Sequence, residues 1–265
     1  MPTRPVIGLL GGMGPGASAE FYRRLVVATP AQRDQDHLHV LIDSDPSVPD
    51  RTEALLHGGP SPVPTLRRMI ARLTAAGADL LVMACNTASA FLPELTDATP
   101  VPIVDWVEVV AAGLSRAAHS TGTGGTTTHH DAGTPPTSLP AVTSTSAGSP
   151  PPPAPPVAVL ATDGTQASGL YHAALARHGL TVAPTATVQP EVMAIIRARK
   201  AGVPVTELAP RLDHVVSGLT AAGVGPVLLA CTELSELHRS LITPAVDAMD
   251  VVIAYLMDRV TAWAT

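Results

Sequence analysis

The chain has 265 residues, of which 46 % are apolar and 3 % aromatic, and it carries a net charge of −6. That length suffices for two small domains or one large one; no apolar run reaches the ~18 residues of a membrane span, and the scattered basic residues offer little to nucleic acid or an anionic bilayer. No basic stretch followed by an apolar one opens the chain, so a cytoplasmic setting is expected, with Cys85 and Cys231 as reduced thiols or, alternatively, as a redox disulfide.

In chain order, Pro5-Val6-Ile7-Gly8-Leu9-Leu10 reads as a buried strand, Gly11-Gly12-Met13-Gly14-Pro15-Gly16 as a turn, and residues 17–27 as a helix. A second strand is expected over 38–42. The turn-rich loop Asp43-Ser44-Asp45-Pro46-Ser47-Val48-Pro49-Asp50 then leads into Arg51-Thr52. Residues 64–76 have the period of an amphipathic helix closed by Gly77. The apolar run Leu80-Leu81-Val82-Met83-Ala84 ends at Cys85 and passes into Asn86-Thr87-Ala88-Ser89. A helix is expected near 88–96, a strand at 101–105 and a helix at 106–118. Alternation of this kind predicts an α/β fold with a largely parallel sheet. From 119 to 156 Thr, Gly, Ser and Pro take over and no period survives, so a linker without a core of its own is expected. His129-His130 within it reads as solvated, a metal tract being the other reading.

After the linker the opening recurs. Pro156-Val157-Ala158-Val159-Leu160 matches Pro5-Val6-Ile7-Gly8-Leu9, and with one gap Ala167-Ser168 falls on Ala17-Ser18 and Tyr171 on Phe21. The pentapeptide Leu73-Thr74-Ala75-Ala76-Gly77 returns as Leu219-Thr220-Ala221-Ala222-Gly223, and the run ending at Cys85 returns as Val227-Leu228-Leu229-Ala230-Cys231, both 146 residues on. This is an internal duplication, with two half-repeats sharing one interface.

Two motifs carry chemistry. Gly12-Met13-Gly14-Pro15-Gly16-Ala17 fits a dinucleotide-binding turn between strand and helix. Against that, the acidic Asp43 comes late and Pro15 lacks an N–H; the plainer reading is a tight turn whose amides could hold a small anion. The two cysteines are either small buried hydrophobes or functional thiols. Both end strands, where ligands of open α/β sheets bind, and a following helix N-terminus would lower a thiol pKa. Asn86-Thr87 and Thr232-Glu233 offer donors to a carboxylate, and a zinc arrangement is absent. Half-repeats about a pseudo-two-fold axis would face the thiols across a cleft. A planar carbanion between them could then lose a proton on one face and gain one on the other. A disulfide, or a covalent nucleophile with a spectator, are the alternatives.

Gly11-Gly12-Met13-Gly14-Pro15, Pro49-Asp50-Arg51-Thr52, Cys85-Asn86-Thr87-Ala88 and Cys231-Thr232-Glu233-Leu234, in this order, resemble the aspartate/glutamate racemase family over the whole chain apart from the linker. The resemblance implies two pseudo-symmetric α/β domains, each a mainly parallel sheet flanked by helices, with the active site in the cleft between them. The boundaries expected are 1–104, completed by 241–265, for the first domain and 157–240, with helix 105–118, for the second, joined by the 119–156 linker. The implied activity is interconversion of the L and D forms of aspartate or glutamate without cofactor or metal, with Cys85 and Cys231 as alternating acid and base. Asn86, Thr87 and Thr232 would take the α-carboxylate and stabilise an enediolate-like species. Arg51 would take the side-chain carboxylate through its fork, or else merely close a surface turn. Met13 and Thr165 are implied as further substrate contacts, Glu233 as a supporting residue, and a homodimer as the assembly.

Departures from the family pattern are Ala84 in place of proline before the first cysteine, Ser89 in place of histidine, and Ala167 near where some aspartate-specific members carry lysine. The long linker is another, since the family has a short connection there. Pyridoxal chemistry would need a Schiff-base lysine, and the one lysine, Lys200, sits in the charged run Arg197-Ala198-Arg199-Lys200. Rival readings are a related isomerase or decarboxylase of small dicarboxylic acids, of which the decarboxylase needs only one protonating cysteine, and a non-catalytic binder of acidic metabolites.

Overall fold

The computed structural model describes residues 4–122 and 155–263. The first half runs β1 (Ile7–Gly11), α1 (Pro15–Ala28), β2 (Val40–Ser44), α2 (Arg51–Leu56), α3 (Val63–Ala75), β3 (Leu80–Met83) and α4 (Trp106–Gly122). The second runs β4 (Val157–Leu160), α5 (Asp163–Ser168), α6 (Leu170–Arg177), β5 (Val182–Ala183), α7 (Gln189–Lys200), α8 (Val205–Ala221), β6 (Val227–Leu229), α9 (Thr232–His238), β7 (Val246–Asp247) and α10 (Ala248–Trp263). All strand pairs are parallel, in the orders β2-β1-β3 and β5-β4-β6-β7. Leu81 of β3 bridges in the same sense to Ile103, so the first sheet has the beginning of a fourth strand where the second has β7. This is the α/β architecture expected, in two domains. Most of the 119–156 segment, with His129 and His130, lies outside the described residues, and residues 119–122 continue α4.

Three local expectations differ from what is observed. The strand expected at 101–105 contracts to the bridge at Ile103, because Pro100 and Pro102 have no N–H to give a ladder. The helix expected near 88–96 is a tighter 3-10 turn, Thr87–Glu94, with Pro93 inside it. Helix α2 was not anticipated. It forms because Asp50 caps it, its carboxylate accepting from the backbone N–H groups of Thr52 (2.8 Å) and Glu53 (2.9 Å).

The repeat is visible in backbone detail. Helices α3 and α8 both end on a left-handed glycine, Gly77 (φ +92°) and Gly223 (φ +78°). In each, the next N–H closes onto the leucine of the pentapeptide, Ala78 to Leu73 at 3.0 Å and Val224 to Leu219 at 3.1 Å. Each glycine turns the chain straight into a cysteine-ending strand.

Side-chain alternation along these strands assigns the two faces of each sheet. Ile7, Leu9, Leu80, Val82 and Ala84 join Val157, Val159, Ala161, Leu228 and Ala230 in one central core shared by both halves. The opposite face of the first sheet, Leu10, Leu81 and Met83, packs on α3, and that of the second, Ala158, Leu160, Val227 and Leu229, packs on α7 and α8. The closing helices cross over: α4 packs on α6 of the second half, α10 on α1 of the first, and the two on each other. The ends of β3 and β6 are thereby held toward one cleft.

Candidate active site

One cleft is lined by Met13, Asp50, Arg51, Thr52, Cys85, Asn86 and Thr87 from the first half and by Thr162, Lys200, Cys231, Thr232 and Glu233 from the second. The space between its atoms is about 290 Å³ with the solvent at its mouth included, so the cleft is narrow. Both thiols reach it for the same reason. Cys85 continues the parity of Leu81 and Met83, and Cys231 that of Val227 and Leu229, two residues past each strand end. Both cysteines are buried and unpaired as thiols.

The thiol environments are not alike. Cys231 donates its S–H to Glu233 Oε2 at 3.0 Å, and Thr232 Oγ1 donates to the same oxygen at 3.4 Å. Burial pushes the Cys231 thiol well above its ordinary pKa, and the Glu233 charge and hydrogen bond push it further, with Lys200 opposing. Cys231 heads α9, yet the lowering expected from a helix N-terminus loses to burial and to the adjacent carboxylate. Lys200 Nζ lies 3.8 Å from Glu233 Oε1 and is partly exposed at the cleft.

Arg51 is buried although it begins a surface helix. Its Nη1 donates to the carbonyls of Val48 (3.3 Å) and Pro49 (3.1 Å), and its Nη2 to that of Met13 (3.1 Å). Of five N–H groups, the buried Nε–H and one on Nη2 have no partner among the described residues. Asp50, which caps this helix, is driven upward by burial, but the Glu53 N–H and the charges of Arg51 and Lys200 hold it below its ordinary value.

Asn86 presents a buried Nδ2 without a partner among the described residues, while its Oδ1 accepts from the Tyr171 hydroxyl. Thr87 is placed differently from a free substrate donor. Its hydroxyl closes a triangle with Thr162 (2.9 Å) and Thr165 (2.9 Å), themselves 3.0 Å apart, across the two halves. Thr165 is not among the lining residues and holds this triangle from behind. Ala167 does not line the cleft either; the cation that does, besides Arg51, is Lys200.

Sequence reasoning did not single out Asp50, Thr52, Thr162 or Lys200 as lining residues. Thr162 and Asp50 had a detectable signal, each as the cap before a short helix, Thr162 Oγ1 accepting from Thr165 N at 3.2 Å. Lys200 had none, since it comes from the far end of α7.

The glycine turn does not present an anion site. Gly12 N donates to Ser18 Oγ (2.9 Å), which in turn donates to Gly14 O (3.1 Å). A Cβ on Gly12 would meet the Asp45 backbone at 2.4 Å, so the loop is pressed onto the end of β2. Carboxylates face the head of α1: Glu236 Oε1 would be 3.2 Å from a Cβ on Gly16, and Glu233 Oε1 3.9 Å from one on Gly14. A pyrophosphate there would meet two carboxylates.

Among the described residues, His238, Asp247 and Asp250 form a group with metal-ligand spacing, their donor atoms within 4.8 Å of one another. Arg24 already bonds both carboxylates, at 2.5 Å to Asp247 and 2.8 Å to Asp250, so a cation would have to displace a buried arginine. Among the same residues no helix is long and apolar enough to cross a membrane.

A sequence model of the Asp/Glu/Hydantoin racemase family matches residues 10–132 and 140–256. The chain belongs to that family. Its enzyme class is therefore isomerase, of the racemase type. The fold of this racemase-family chain is similar to that of the Picrophilus torridus aspartate racemase, with 25 % identity, a TM-score of 0.75, and coverage of 97 % of this chain and 94 % of the other. It is also similar to an aspartate racemase homologue from Pyrococcus horikoshii OT3 (18 % identity, TM-score 0.67, 97 % and 99 % covered). A glutamate racemase from Francisella tularensis subsp. tularensis SCHU S4, in complex with D-glutamate, shares the fold at 14 % identity and a TM-score of 0.55, with 99 % and 82 % covered.

Proposed function

We propose that this racemase-family chain interconverts the L and D forms of an acidic amino acid, aspartate or glutamate, using Cys85 and Cys231 as the two proton-transfer groups. The observation that carries the reading is that both thiols, at equivalent ends of equivalent strands, line one small cleft together with cations and unpartnered donors. One thiolate removes the Cα proton, leaving a planar carbanion delocalised into the α-carboxylate. The opposite thiol then delivers its proton to the other face, so that one proton has passed from Cα to the first sulfur and another from the second sulfur to Cα. Charge grows on the α-carboxylate as the proton leaves, and donors aimed there act mainly in the transition state. Asn86 Nδ2 and Thr232 supply such donors, and Thr87 adds one when a proton of its triangle turns outward. Arg51 offers its two free N–H groups to the side-chain carboxylate, and Lys200 adds the second positive charge that Ala167 does not provide.

Nothing in this scheme calls on a cofactor. The domain division we favour is 1–104 with α10, and 157–240 with α4, in keeping with the crossing of the two closing helices. Residence in the cytoplasm and a homodimer belong to the same reading, the dimer being open to sedimentation analysis.

The deciding experiment follows α-proton exchange in heavy water over L- and D-aspartate, L- and D-glutamate and uncharged amino acids, after exhaustive removal of pyridoxal phosphate. Exchange with loss of optical rotation for one acidic pair is expected. Inertness of the treated protein would sink the cofactor-free racemase, and decarboxylation without racemisation would favour the decarboxylase reading. Lys200→Arg sharpens this, since a Schiff-base mechanism would be abolished while a carboxylate anchor would lose only affinity.

A further inference from the structure

We infer that Tyr171 is a positioning residue for this reaction, its hydroxyl fixing the Asn86 amide so that the NH2 group, and not the carbonyl, faces the cleft. The inference rests on the racemase reading above. Asn86 follows Cys85 and is 2 % exposed; Tyr171, in α6 of the other half, is 1 % exposed. The Tyr171 hydroxyl donates to Asn86 Oδ1, and Asn86 Nδ2 has no partner among the described residues.

A carboxamide has nearly the same shape in both flip states, so sterics alone do not choose between them. The phenol does. If the amide were flipped, its NH2 would donate to the phenol oxygen, and the phenol proton would need another acceptor in a buried site. The carbonyl oxygen would then point at a substrate carboxylate, acceptor against acceptor. Burial also keeps the phenol protonated, holding its pKa well above the ordinary value, so that it stays a donor. The amide orientation is therefore set from across the domain boundary.

The duplication supplies an internal control. Tyr171 occupies the place of Phe21, and the counterpart of Asn86 is Thr232, which follows Cys231. A threonine hydroxyl rotates to suit its ligand and needs no orienting partner. Phe21 has no hydroxyl and instead packs on Trp106, with ring centroids 5.9 Å apart. An orienting phenol is found where the residue after the cysteine is an amide, and a plain ring where it is a hydroxyl.

The test is Tyr171→Phe, a change that places in α6 the ring α1 already carries. Steady-state racemisation of the acidic substrate should lose roughly 10–100-fold in kcat/KM, with kcat falling as well as KM rising because the donor acts on developing charge. Enantiomers have equal free energy, so the loss must be the same in both directions. In an Asn86→Thr background, which needs no orienting, Tyr171→Phe should change kcat/KM by less than about 2-fold. A loss of equal size in both backgrounds would mean a structural role and overturn the inference, as would wild-type kinetics for Tyr171→Phe alone. Absence of racemisation in the wild-type protein would instead sink the racemase reading, and this inference with it.

Discussion

The two halves are the same machine built twice with different fittings. Each has the same ladder order, the same left-handed glycine before the cysteine strand and the same crossed closing helix. Yet Asn86-Thr87 follows one thiol and Thr232-Glu233 the other, and only Cys231 has a carboxylate as its hydrogen-bond partner among the described residues. On the two-base proposal the mismatch has a geometric reason. A two-fold axis lying in the plane of a carbanion exchanges its two faces, as two-base chemistry requires. It also exchanges two of the three groups on Cα wherever the axis runs along the third bond. A site that must tell carboxylate, amine and side chain apart therefore breaks the symmetry that it uses for its thiols. The backbone repeats from one half to the other and the side chains at the cleft do not.

The strongest way to break this comparison is to remove one thiol at a time. Cys85→Ala and Cys231→Ala should each lower racemisation by about 10²–10⁴-fold, the usual worth of a positioned acid or base. Each variant retains a base on one face, so proton NMR in heavy water should show residual exchange biased toward one enantiomer, and toward the opposite enantiomer in the other variant. Identical exchange of both enantiomers by both variants would mean that the thiols do not face opposite sides of Cα.

The closing helices make the second comparison. Pro102-Ile103-Val104-Asp105 and Pro244-Ala245-Val246-Asp247 lead into α4 and α10 alike, and three residues on each helix puts an acid toward the other half. In α4 that acid is Glu108, paired with Arg177 (2.8 Å) and His178 (2.6 Å) at the surface. In α10 it is Asp250, which with Asp247 holds Arg24, a side chain 4 % exposed. Burial alone would raise Asp250, but the His238 imidazole 3.5 Å away and the charges of Arg24 and Arg239 hold it at about 2. Arg24→Ala leaves Asp247 buried without its nearest counter-ion, the His238 ring lying 3.6 Å off, so a loss of about 3 kcal/mol in urea unfolding is expected. Arg177→Ala, the same cut on the solvated side, should cost about 1 kcal/mol or less. Equal losses would show that the crossings are equivalent after all.

How much of this was legible beforehand follows from the range of each interaction. The glycine ends, the buried strands and the paired cysteines are local patterns and could be read directly from runs such as Leu73 to Cys85. The capped helix at Arg51 was missed because its signal, one aspartate before six residues, is short. The repeat around Asp105 and Asp247 was also readable but falls at a different offset from the cysteine repeat. Lys200 at the cleft, the Thr87–Thr162–Thr165 triangle and the Tyr171–Asn86 bond join residues brought together only by the crossing of the halves. No periodicity encodes them. The Cys231 shift runs opposite to the expected one because a helix N-terminus is visible in sequence, whereas desolvation is not.

The smallest expected effect tests that shift. In a two-base enzyme the active form carries one thiolate and one thiol, so kcat/KM rises as the first proton leaves the pair and falls as the second does; the two limbs belong to the pair. Glu233 raises Cys231 both by its charge and by accepting its S–H. Glu233→Gln removes the charge and keeps the shape. The Cys231 thiolate then becomes easier to form, and the falling, alkaline limb of kcat/KM should move to lower pH. At pH values below that limb the rate should change only a few-fold, because both thiols remain in place. Lys200, freed from the carboxylate 3.8 Å away, would pull the thiol further in the same direction, so Glu233→Gln combined with Lys200→Met should return part of the displacement. An alkaline limb that stays where it is, or moves upward, would show that Glu233 does not set the Cys231 thiol and that the two halves are electrostatically closer than their side chains suggest.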